Sequence, residues 1–128
     1  MKIKQIIFVL ATSLITFSAQ AKFELKDESP LLGNWNLYAE AAAIHKEKTS
    51  VNIQWEFKRN GVLNTKAEDR TGRTGAFGVQ LKYKIENGNL VRQIAPGREK
   101  YETCHVQKLD GPDMILKCNY QYFFLRKK

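Results

Sequence analysis

The chain is poor in the residues that most catalytic and metal sites need. It has two histidines, two cysteines and three prolines in 128 residues. His45 and His105 lie far apart, without the close spacing of a metal motif. Cys104 and His105 are adjacent, and successive residues of a strand point to opposite faces, so they cannot act as nucleophile and base. Beyond residue 21 only Ser29 and Ser50 remain as serines, neither in the strand-to-helix elbow that activates a nucleophile. The expectation is a protein that is not an enzyme, with no catalytic residues, no cofactor and no metal. Long apolar runs are also missing after the first residues, which leaves no span for a bilayer.

What is present begins with residues 1–21. Lys2 and Lys4 precede an apolar run broken by Thr12, Ser13 and Thr16, and Ala19-Gln20-Ala21 forms a small-residue exit. This pattern predicts a cleaved signal peptide and a domain over 22–128, periplasmic or secreted. No cysteine stands at the exit, so a lipoprotein signal is excluded. Lys2 and Lys4 leave with the leader and no acid does, so the formal charge falls from +8 to +6. A basic surface draws anions, whether small ligands, acidic proteins or envelope polymer. Export argues against nucleic acid, and one compact monomeric domain is expected.

The rest reads as strands. Val51, Ile53, Trp55 and Phe57 alternate with polar residues, as do Val79, Leu81, Tyr83 and Ile85. Turns follow at Arg59-Asn60-Gly61 and Asn87-Gly88, since Asn and Gly tolerate positive φ. Eight strands are predicted, at 34–39, 51–58, 62–68, 79–86, 89–95, 100–109, 114–119 and 121–127. Eight short strands, each apolar on one side, bury that side by closing into an antiparallel up-and-down barrel, with a two-sheet sandwich as the alternative. Glu40 to Lys48, rich in helix formers but too short for a stable helix, is expected to be a loop or one helical turn between the first two strands.

Cys104 and Cys118 each stand seven residues from Gly111. A hairpin turning there sets them opposite each other, within reach of a disulfide. Arg92 is harder to place. A two-residue turn at Asn87-Gly88 puts Arg92 opposite Tyr83 and inside the barrel, where an internal acid or a ligand carboxylate or phosphate must satisfy it. A three-residue turn releases it to water. The segment Thr71 to Gly78, with glycines at every third position, lacks the Lys-Ser/Thr of a phosphate loop and is expected to form a rim carrying Arg70 and Arg73.

Gly33-x-Trp35 at the first strand and Arg126 in the last together resemble the lipocalin-like (calycin) barrels of bacterial exported proteins. The resemblance implies that Trp35 closes one barrel end and that Arg126 packs across its indole, making Gly33, Trp35 and Arg126 structural. The chain is shorter than a typical lipocalin, and no further signature of that family is present. The leading expectation is an exported barrel that binds a small amphipathic or anionic ligand, with Trp55, Tyr83 and Arg92 lining the site and Arg70 and Arg73 at its rim. The alternative is a surface interaction or inhibitor module that grips an acidic protein or envelope polymer through its basic face.

Overall fold

The computed structural model describes residues 23–67 and 77–128. Residues 1–21, read as a leader, and the segment carrying Arg70 and Arg73 lie outside the described residues. Among the described residues no helix is long and apolar enough to cross a membrane.

Alternation of apolar and polar residues produces eight strands: β1 (Gly33–Ala41), β2 (Thr49–Lys58), β3 (Val62–Ala67), β4 (Phe77–Glu86), β5 (Asn89–Gln93), β6 (Tyr101–Asp110), β7 (Asp113–Lys117) and β8 (Tyr122–Lys127). Each runs antiparallel to the next, and β8 pairs with β1 to close the barrel. Closure removes the open edges that a flat sheet would expose. Residues 94–95 and 118–119, expected to extend strands, lie instead in loops. In the segment from Glu40 to Lys48, β1 continues to Ala41, and the Lys46 N–H donates to the Ala43 carbonyl at 3.0 Å. That single turn is all the helical character the segment has.

One barrel end is plugged by the chain before β1. Leu25 and Leu31 are buried, and each removes about 1.5–3 kcal/mol worth of apolar surface from water. The Leu25 N–H donates to the Gly88 carbonyl at 2.9 Å, and Phe23 bridges to Val106. A short 3-10 turn, Ser29–Leu31, with Pro30 in its first positions, brings the Leu31 carbonyl to the Trp35 indole, whose Nε1–H donates to it at 2.8 Å. Trp35 therefore closes this end, surrounded by a core that includes Phe57, Leu63, Leu90 and Leu125.

The residue over that indole differs from the expected one. Lys127, not Arg126, lies across Trp35, with Nζ 4.7 Å from the ring centroid. In β8 the odd positions Phe123, Leu125 and Lys127 share a face, so Arg126 points to the outside, over Tyr38 at 4.7 Å and against Asp113 Oδ1 at 3.2 Å. Lys127 Nζ also donates to the Leu32 carbonyl at 2.6 Å. Gly33 makes room for it. With φ of +114°, Gly33 is in a conformation side chains avoid, and a Cβ there would stand 3.0 Å from Lys127 Nζ.

The cysteines are bonded, with Cα atoms 4.1 Å apart. His105 pairs with Lys117 and Val106 with Leu116, as a hairpin centred on Gly111 requires. A bulge between Val106 and Lys108 then shifts the register by one, so that Asp110 pairs with Asp113 and the loop shrinks to Gly111-Pro112. Gly111 takes the positive φ, 59°, that this tight turn needs.

Candidate functional site

The hairpin joining β4 and β5 turns on two residues, Asn87 (φ 54°) and Gly88 (φ 82°). Ile85 thus faces Leu90 and Tyr83 faces Arg92, which places the guanidinium inside the barrel. An internal acid meets it. Arg92 is paired in register with Glu102 of β6, and its Nη2 lies 2.6 Å from Glu102 Oε2. Both side chains are nearly buried, at 13% and 9% exposure, so each charge depends on the other. Burial pushes the Arg92 pKa below its ordinary value, an effect opposed by the Glu102 charge and hydrogen bond and, more weakly, by Glu40. The second oxygen of Glu102 accepts from the Asn119 N–H at 3.4 Å.

Two aromatic rings flank the guanidinium. Its central carbon lies 5.2 Å from the Trp55 ring and 5.3 Å from Phe123, both within cation–π range, and those two rings meet edge to face at 5.6 Å. Arg92 Nε is buried without a hydrogen-bond partner.

Arg92, Trp55 and Phe123 line a cavity of about 330 Å³ at the end of the barrel opposite the plug. Its walls are mostly apolar, with Leu37, Ile53, Trp55, Leu81 and Phe123 around Arg92, while Glu40 and Gln121 stand at its margin. That volume lies at the lower end of the range of small-molecule sites. A mostly apolar wall open at the barrel end, with one guanidinium and few other polar groups, can hold a molecule. It supplies no nucleophile–base pair.

Of the residues singled out in the sequence, Trp55 and Arg92 come together in the cavity. Tyr83 does not join them. It points inward but leans toward the plugged end, where its hydroxyl donates to the Lys58 carbonyl at 2.7 Å and its ring meets Phe57 edge to face at 5.1 Å. Burial, and then the charge of Glu28, raise its pKa from 10.0 to about 12. Arg70 and Arg73 belong to the segment outside the described residues. Glu102 and Phe123 were not foreseen. His105 pairs with Lys117, and its Nδ1 lies 3.0 Å from Asn89 Oδ1. One cluster of metal-ligand types stands out among the described residues, Glu102 with Cys104 and Cys118. Its sulfurs are joined in the disulfide, which leaves no thiolate to bind an ion.

No protein-family model matches the chain, and no curated protein matches it. Two solved structures do. A lipocalin-like protein from Bacteroides uniformis superposes with a TM-score of 0.63 at 18% identity, over 77% of this chain and 99% of the other. An uncharacterized protein from Bacteroides eggerthii gives 0.62 at 15% identity, over 76% and 98%. At such identities the likeness speaks for architecture, and with the strand order and the plugged end it establishes that this chain folds as a lipocalin-like, eight-stranded antiparallel barrel.

Proposed function

We propose that this protein is a non-enzymatic, exported carrier or sensor that holds a small amphipathic molecule in the end cavity. The observation that carries the reading is a ligand-sized apolar cavity with a single guanidinium set against two aromatic rings. The body of the ligand lies on Leu37, Ile53, Trp55 and Phe123, and its polar head meets Arg92. Charge decides what kind of head fits. Glu102 already neutralises Arg92, and Glu40 adds a further carboxylate at the margin. A free anion gains little there, so a neutral head with a hydrogen-bond acceptor is favoured over a carboxylate or phosphate. The disulfide fits an oxidising compartment, in keeping with a leader over residues 1–21.

Decanol and decanoate, which share an alkyl chain and differ in head charge, test this directly. Native mass spectrometry and tryptophan fluorescence should show decanol bound at least as tightly as decanoate. Trp55→Ala, and Val79→Phe as a cavity-filling variant, should each weaken binding by ~10-fold or more. Binding of neither amphiphile to the parent protein, or equal binding to the filled variant, defeats the reading.

A further inference from the structure

The outer surface of β1 to β4 breaks the rules that strands usually obey. Asn34, Asn36, Asn52 and Asn64 all stand on it, although asparagine is disfavoured in strands, and Gly78 interrupts β4. Gly78 has no conformational need to be glycine: its φ is not positive, and an added Cβ would meet nothing closer than the Thr65 carbonyl at an ordinary 3.5 Å. A glycine within a strand weakens it and often marks a place where something approaches closely. Local rules broken together are expected at functional surfaces.

Register brings these residues into two cross-strand rows. Asn34, Glu56, Asn64 and Gln80 are successive partners across four strands. Asn36, Gln54, Lys66 and Gly78 form the row beside it. Gln80 Nε2 donates to Asn64 Oδ1, and Asn64 Nδ2 donates to Glu56 Oε1, both at 3.3 Å. Asn36 Oδ1 is buried with no donor. Where Gly78 leaves out a side chain, the surface sinks into a groove of about 380 Å³, bordered by Asn34, Gln54, Glu56, Asn64 and Gln80.

We propose that this groove is a second binding site, for a neutral oligosaccharide. Side-chain amides each present a donor and an acceptor, which is what vicinal hydroxyls present in return. Neighbouring strands space those amides about 5 Å apart, the scale of one sugar ring. Glu56 and Lys66 balance each other, so the groove carries no net charge to select an ionic ligand. The site lies on the outer side of the wall whose inner side lines the end cavity, and the two share Thr65 and Val79.

Titration of nitrogen-15-labelled protein with maltohexaose and cellohexaose, two neutral oligosaccharides, tests the proposal. One or both should shift the side-chain amide resonances of Asn64 and Gln80, and Gly78→Val should weaken that binding by ~10-fold or more. The valine variant should remain folded, because the space for its Cβ exists and valine favours strands. Trp55→Ala, which alters the end cavity, should leave saccharide binding unchanged, so the two sites fail separately. Absence of shifts with both sugars at about 10 mM, where even millimolar affinity is visible, overturns the proposal, as does equal binding by Gly78→Val.

Discussion

The ammonium of Lys127 stands 3.0 Å from the point where a side chain on Gly33 would begin. The two residues share one space, and both serve Trp35. Gly33 leaves it empty, and Lys127 fills it on the way to the indole face and the Leu32 carbonyl. Lys127→Ala should therefore lower stability by about 1–2 kcal/mol, from a lost cation–π contact and a lost charged hydrogen bond. Arg126→Ala, which removes an exposed pair with Asp113, should change it by about 0.5 kcal/mol or less. Urea denaturation of the two variants checks the order. An equal or larger loss at Arg126 would return the structural role to that residue.

The Arg92–Glu102 pair predicts an asymmetry between single and double variants. Glu102→Leu strands a buried guanidinium and should cost about 3–5 kcal/mol, whereas Arg92→Met combined with Glu102→Leu should recover most of that loss. Equilibrium unfolding of the single and double variants measures the difference. A double variant as unstable as the single would show that packing around Glu102, and not charge, is at stake.

Tyr83 should make the protein sensitive to alkali. Its pKa is raised to about 12, above the 10.0 of the free phenol, so between those values the unfolded chain gives up a proton that the folded protein keeps. The unfolded state then binds fewer protons, and stability falls as pH rises through this window. Tyr83→Phe should flatten that part of the stability–pH curve while costing about 0.5–1.5 kcal/mol at neutral pH for the hydrogen bond to Lys58. Parallel denaturation curves from pH 9 to pH 12 (a range of about three units, spanning the free and shifted phenol) compare the two proteins, and an unchanged slope in the phenylalanine variant would place the alkaline loss elsewhere.

Reduction of the Cys104–Cys118 bond should destabilise the barrel without opening it. The chain-entropy model assigns about 3 kcal/mol to a loop of this length. The hairpin already holds its strands together through Val106 and Leu116, so the loss should be smaller. Thermal unfolding with and without reductant gives the figure. Collapse of the fold on reduction would mean that the β6–β7 register depends on the bond.

Much of this architecture is written in the alternation of side chains. The faces of β2 and β4, the Asn87-Gly88 turn and the inward course of Arg92 all follow from period two and turn chemistry. Glu102 carried a usable signal, since the inward set Val106 and Cys104 continues back to it along β6. Its partnership with Arg92 needed the β5–β6 register, which the irregular segment from Ile94 to Lys100 hides. Lys127 was masked for another reason. Phe123, Phe124 and Leu125 are all buried, so β8 shows no alternation from which to decide which of Arg126 and Lys127 reaches Trp35. The lean of Tyr83 toward the plugged end depends on its contacts with Phe57 and Lys58, which lie on another strand.

Every seam of the barrel but one joins strands that are consecutive in the chain, and the exception, β1 with β8, runs straight past Trp35. Consecutive hairpins close short loops at small entropic cost, while that last seam must bring together opposite ends of the domain. During refolding the ring should therefore snap shut late, and Trp35 is a clock hand set on the clasp. Its emission should change when β8 brings Lys127 onto its face, in the same step that sets Phe123 of that strand against Trp55.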